Sequence, residues 1–237
     1  MAEIRAGLEN VIALTSELCY IDGERGILRY RGYPIEELAE QSTFEEVVYL
    51  LWYGELPTQE QLAELKARLQ DRQLPPVVKS LLRELAGLDT PMSVLRTAVS
   101  ALAALDPDKD DESYEANLRK AERLVAKIPT IIAAIGRLRQ GLEPIEPNPE
   151  LNIATNFLYM LNGEEPDPLV AHTLDVALIL HADHGLNAST FAARVTVSTL
   201  SDMYSAVVSA IGTLKGPLHG GANERVMRML LEIGEVE

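Results

Sequence analysis

The sequence predicts an all-α chain with one small β element near its N-terminus. Three observations carry that reading. From Pro34 onward apolar residues recur at helical spacing in one segment after another. The segments open with Ser, Thr, Asp or Pro, residues suited to helix starts. Only Val11 to Tyr33 reads as strand: Cys19-Tyr20-Ile21 and Ile27-Leu28-Arg29-Tyr30 flank Asp22-Gly23-Glu24-Arg25-Gly26, a hairpin-like turn.

The helices follow in order. Ser42-Thr43-Phe44-Glu45 reads as a capping box opening a helix to about Tyr53, and Thr58-Gln59-Glu60-Gln61 opens the next. Leu62, Leu65 and Leu69 give that helix one apolar face. Pro75-Pro76 starts another, with Val77, Leu81, Leu82 and Leu85 as its predicted buried side. Thr90-Pro91 places a cap and then a proline at the first helical position, ahead of Met92 to Leu105. Asp106 to Glu112 is an acidic break read as a solvated loop. A long helix from Ser113 to Gln140 contains Pro129, where a kink is expected because proline removes a backbone bond. Leu142 to Pro149, with three prolines, is a loop. Leu151 to Leu161, Asp167 to His184, Ser189 to Leu200, Asp202 to Leu214 and Ala222 to Ile233 complete the series. The segments from Ser189 to Leu214 are rich in Ala, Ser, Val and Thr, which suits close helix–helix packing.

Length and charge narrow the function. A chain of 237 residues, 47% hydrophobic, can bury one substantial core. No apolar run approaches the ~20 residues of a membrane span. Glu3, Arg5 and Glu9 leave no signal-peptide core, and the single Cys19 forms no internal disulfide; a cytoplasmic location is expected. A net charge of −15 argues against nucleic acid and anionic membrane as partners. An anionic substrate would therefore need Arg or Lys placed locally.

Two stretches carry candidate chemistry. In Gly216-Pro217-Leu218-His219-Gly220-Gly221-Ala222-Asn223-Glu224 a histidine sits in a helix break, just ahead of a new helix N-terminus. The partial positive charge there favours a neutral imidazole, whose N–H can donate to an oxygen gaining negative charge. The glycines would let the backbone turn and approach a ligand closely; the bland alternative is a Gly-rich turn with a surface histidine. In Ile179-Leu180-His181-Ala182-Asp183-His184-Gly185-Leu186-Asn187-Ala188-Ser189-Thr190 one helix ends and another begins, with Ser189 a plausible N-cap. His181 and His184 at i, i+3, with Asp183 or His219, could suggest a metal site, but no second ligand pair has metal spacing, so none is assigned. His172 lies mid-helix among Val170, Ala171 and Leu174 and reads as a core or surface histidine. Ser189 lacks the Gly-x-Ser-x-Gly elbow of a hydrolase, and no Gly-Lys-Ser/Thr phosphate loop occurs.

Together, "LHADHGLNASTFAARV" and "GPLHGGANE" resemble the citrate synthase family. The run Tyr30-Arg31-Gly32-Tyr33-Pro34-Ile35-Glu36-Glu37-Leu38-Ala39, then Thr43-Phe44-Glu45-Glu46-Val47 and Gly54-Glu55-Leu56-Pro57-Thr58, resembles the opening of bacterial and archaeal members. The likeness covers essentially the whole chain. It implies the multi-helical large domain of the citrate synthase fold over residues 1–237, with later helices forming a homodimer. It implies condensation of acetyl-CoA with oxaloacetate to citrate and CoA, with both as small-molecule partners and no cofactor beyond acetyl-CoA as substrate. By motif match His219 donates to the acetyl-CoA carbonyl, His184 contacts oxaloacetate, Ser189 supports the catalytic histidine, and Asn187 belongs to the same turn.

The family also carries a second catalytic histidine in a Gly-x-Gly-His setting, a catalytic aspartate, carboxylate-binding arginines and a loop for the CoA nucleotide. None of these motifs lies within residues 1–237. The resemblance therefore implies a chain without the small domain and C-terminal helices, inactive alone. A 2-methylcitrate synthase using propionyl-CoA is the enzymatic alternative, and a non-catalytic helical dimerisation scaffold the other.

Overall fold

The computed structural model describes residues 14–234, so the first residues of the predicted β region, 11–13, lie outside the described part. Strands β1 (Cys19–Asp22), β2 (Ile27–Tyr30) and β3 (Tyr33–Pro34) form an antiparallel sheet in that order. Cys19 pairs with Tyr30 and Asp22 with Ile27, the predicted hairpin. Asp22 Oδ1 accepts from the backbone N–H groups of Glu24 and Arg25, and Gly26 closes the turn at φ +66°.

Eleven α-helices follow among the described residues. The first five are α1 (Ile35–Gln41), α2 (Phe44–Tyr53), α3 (Gln59–Arg68), α4 (Pro76–Leu85) and α5 (Pro91–Ala103). The long α6 (Tyr114–Arg139) precedes α7 (Ile153–Asn162), α8 (Pro168–Leu180), α9 (Ala188–Ser198), α10 (Met203–Leu214) and α11 (Gly221–Ile233). The chain is mainly helical with a small sheet, as the sequence indicates, and α6 runs through Pro129 as one helix.

Several local expectations shift, each for a physical reason. The first capping box is one residue later than predicted: Thr43 caps α2 and Glu46 answers it, because Ser42 is spent ending α1 through its N–H to Leu38 O. That frees Glu45 to turn inward, where Oε1 accepts the Ile153 N–H at the start of α7. On α4, Val78 and Leu82 are the buried residues and Val77 is 57% exposed. The predicted helix to His184 stops at Leu180, with His181 as its C-cap.

The loop after α5 is not simply solvated. Asp106 is 6% exposed and accepts two bonds from Arg123, Nε–Oδ2 2.7 Å and Nη2–Oδ1 2.8 Å. The Tyr204 hydroxyl also donates to Asp106 Oδ2, joining this loop to α6 and α10. Burial raises the proton affinity of Asp106, but the Tyr204 and Arg123 bonds outweigh it and hold the carboxyl below its ordinary value.

The main core lies between α4, α5, α6 and α10, with Val78, Leu82, Val94, Ala98, Val99, Ile131, Ile135, Tyr204 and Ile211 packed together. A second cluster joins Tyr30, Ile35, Leu38, Val47 and Leu50 to Ile179 of α8. Helix α10 packs on both α5 and α9. Its small residues thus serve the chain's own interior, Ala206 being 5% exposed, and the outward apolar face belongs to α9, which buries no residue of its own.

Candidate active site

The turn between α8 and α9 and the first residues of α9 carry three of the candidate residues. Asn187, rather than Ser189, is the N-cap of α9: its side chain accepts the Thr190 N–H at 3.0 Å. Ser189 is thereby left free for another task. Its Oγ lies 2.8 Å from His219 Nε2 and 3.0 Å from the carbonyl of Ala210. His184 sits exposed in the same turn, three residues before the cap.

His219 is presented by a tight corner between α10 and α11. The His219 N–H bonds Gly216 O at 3.0 Å, and the Gly220 N–H bonds Leu214 O at 3.0 Å. A Cβ on Gly220 would fall 2.4 Å from that carbonyl, so only glycine fits. The glycine is needed for the chain's approach to itself, not to a ligand. The corner leaves His219 half-buried, two residues ahead of α11.

Asn187, Ser189 and His219 line one cleft of about 450 Å³ between α9 and α10; His184 is not among its lining residues. The remaining walls follow helical spacing on both sides: Thr190, Ala193, Arg194 and Val197 from α9, and Val207, Ala210, Ile211 and Leu214 from α10. Each set runs i, i+3, i+4, i+7. Arg194 brings a cation to a cleft that is otherwise mostly apolar. Arg194 was missed in the sequence: it shares a helical face with Thr190, but nothing local marks that face of α9 as the one bordering a cleft. A larger groove of about 850 Å³ opens at the start of α5, beside Asp89, Arg139 and Lys215, but none of the candidate residues lines it.

The sheet holds the other side of the α8–α9 turn. The Tyr30 hydroxyl lies 3.1 Å from Ile179 O and 3.0 Å from Asp183 O, and accepts the Asp183 N–H at 3.2 Å. Asp183 Oδ2 accepts the Gly185 N–H at 2.8 Å. Burial, with the Asp183 carboxylate beside it, pushes the Cys19 thiol up to about 11. Asp183 is thus structural. His181 is occupied as well, its Nδ1 2.7 Å from Ala177 O at the end of α8. Among the described residues no group of three or more His, Cys, Asp or Glu side chains is placed to hold a metal ion, and no helix is long and apolar enough to cross a membrane.

Comparison with known proteins agrees with this architecture. A family model described as "Citrate synthase, C-terminal domain" matches residues 7–237. The citrate synthase of Haloferax volcanii is 55% identical over 98% of this chain and 63% of its own length. A 2-methylcitrate synthase of Mycobacterium tuberculosis is 48% identical over 98% of this chain and 59% of its own. A structure of Thermoplasma acidophilum citrate synthase, in a ternary complex with carboxymethyl coenzyme A and oxaloacetate, superposes with a TM-score of 0.92 at 35% identity, covering 98% of this chain and 61% of that one. The chain spans about three-fifths of the length of these relatives. It belongs to the citrate synthase family.

Proposed function

We propose that this chain provides the enolate-stabilising side of a citrate synthase site. In the complete reaction a base takes a proton from the acetyl-CoA methyl group, and the enolate carbon attacks the oxaloacetate carbonyl. Hydrolysis of the resulting thioester releases citrate and CoA. His219 is the donor to the thioester oxygen as that oxygen gains charge. His184 contacts oxaloacetate, and Asn187 fixes the turn that carries it. Arg194 offsets, within the cleft, the repulsion of a chain of net charge −15.

The observation that carries the reading is the 2.8 Å contact between Ser189 Oγ and His219 Nε2. It occupies one ring nitrogen and leaves Nδ1 as the other. A neutral imidazole has a single N–H. For Nδ1 to donate, the Ser189 hydroxyl must give its proton to Nε2 rather than to Ala210 O. Ser189 is then the residue that sets the working tautomer.

None of the residues 1–237 is assigned as the base. Absence of a base removes ~10²–10⁴ in rate, so the chain alone is expected to form no citrate. Thiol release from acetyl-CoA in the presence of oxaloacetate, measured on the intact gene product, tests the activity. His219→Ala should abolish it with the fold retained, and unchanged turnover in that variant would overturn the assignment. Running propionyl-CoA beside acetyl-CoA tests the second reading, 2-methylcitrate synthesis, which the 48% identity to such an enzyme supports.

We also propose a homodimer through the later helices. Val195 and Phe191 on α9 are 52% and 39% exposed, and Leu169 on α8 is 71% exposed. A second copy would cover such faces with an interface expected to exceed ~2,000 Å².

A further inference from the structure

We propose that Tyr30 is a positioning residue for His184, with its buried hydroxyl tying Ile179 and Asp183 into the one corner from which that imidazole is presented. This rests on the reading of His184 as the oxaloacetate contact. Tyr30 is 0% exposed at the end of β2, 149 to 153 residues from the groups it binds. Its oxygen receives the Asp183 N–H and its single proton lies within reach of three carbonyls, Ile179 O at 3.1 Å, Asp183 O at 3.0 Å and Leu180 O at 3.4 Å. One side chain therefore accepts the N–H of the residue before His184 and shares its proton between that residue's carbonyl and the last turn of α8. The residue after His184 is held as well. Gly185 sits at φ +60° with its N–H on Asp183 Oδ2, and a Cβ there would lie 3.5 Å from Ile21 Cδ1 and 3.7 Å from Cys19 Sγ. Asp183 is thus bonded to the sheet and Gly185 is bonded to Asp183, while His184 between them is exposed.

A core tyrosine with no link to the site would show a different pattern of losses. Phenylalanine keeps the ring and its packing but leaves the Asp183 N–H without the hydroxyl that accepts it, while Ile179 O keeps the Ala182 N–H. The corner then loosens where His184 is attached, while the α10–α11 corner that carries His219 keeps all its bonds.

The test uses the chain labelled at histidine, whose four imidazoles are followed by NMR during titration with oxaloacetate. Tyr30→Phe should shift and broaden the His184 signals, leave His219 unchanged, and weaken the oxaloacetate response at His184 about tenfold. A folded Tyr30→Phe chain whose His184 signals and oxaloacetate response match the parent would overturn the proposal. Should Tyr30→Phe fail to fold, Cys19→Ala loosens the same corner from its other side, with about a twofold weakening expected; an unchanged His184 there is equally contrary. If the parent's His184 ignores oxaloacetate, the ligand reading fails, and the Tyr30 clamp is judged on the imidazole shift alone.

Discussion

The two ends of this molecule treat their apolar and charged groups in opposite ways. Around α4, α5, α6 and α10 nearly every large apolar residue has a neighbour, and the buried carboxylate Asp106 is matched by Arg123 and Tyr204. Around α8, α9 and α11 apolar side chains face outward, Leu169, Val195 and Leu231 among them. The buried Asp175 of α8 has no cation bonded to it. One oxygen takes the Phe44 N–H and the other lacks a partner, as does Glu45 Oε2. The first end is finished within the chain. The second carries the candidate site and leaves apolar faces uncovered.

Breaking the finished end should cost most. Asp106→Ala leaves the Arg123 guanidinium in a partly buried setting without its main partner, and a loss of about 3 kcal/mol is expected in chemical unfolding. The pH dependence has a definite sign. The folded-state value of Asp106 lies below its ordinary one, so its contribution is present above pH ~4 and fades as pH falls through the folded value. Asp106→Ala should therefore remove part of the parent's acid sensitivity.

That end was also the more legible one. The Leu62/Leu65/Leu69 repeat, the Thr58 capping box and the start of the long helix at Ser113 follow local rules and appear where the sequence puts them. Asp106 was read as a solvated loop because its partners, Arg123 and Tyr204, lie 17 and 98 residues away, beyond any local pattern. The motif at His219 was plain, yet its contact with Ser189 is a meeting of two helix starts 30 residues apart. Ser189 read as a cap for the same reason. Asn187 could fill that role equally well, and only the path of α9 decides between them. Arg194 was legible by spacing, once the cleft-facing side of α9 was known.

The open end should respond through assembly rather than folding. Val195→Glu places a charge at the outward face of α9. The chain should keep its helical spectrum but sediment as a monomer, with association weakened by about 2–3 kcal/mol. A charge change remote from that face, Glu60→Gln, should leave sedimentation untouched. A parent that is monomeric at all concentrations would remove the comparison's second half.

Asp175 offers a smaller effect of opposite sign. Burial, then the nearby Glu45 charge, pushes its carboxyl up to about 6. A carboxyl raised on folding is held protonated more tightly in the folded chain, so stability falls as pH rises from ~4 to ~6 and stays lower above that. An asparagine accepts the Phe44 N–H without a charge, and its amide can donate towards Glu45. Asp175→Asn should stabilise the chain by about 1–2 kcal/mol at pH 7.5, a few degrees in thermal midpoint. The gain should vanish below pH ~4, where the carboxyl is neutral in the folded and unfolded chain alike.

The smallest change is a single proton, and it bears most directly on the site. Ser189 Oγ has one hydrogen and two acceptors in reach, Ala210 O and His219 Nε2. If His219 is to donate to a thioester oxygen through Nδ1, the serine must give its proton to Nε2. Nitrogen-15 NMR of the histidine-labelled chain near neutral pH reads that choice without any need for turnover. Protonation of His219 at Nδ1 in the parent, moving towards Nε2 in Ser189→Ala, is the predicted result. A parent already protonated at Nε2, with Nδ1 bare and no change in Ser189→Ala, would contradict the assignment of His219 as the enolate donor.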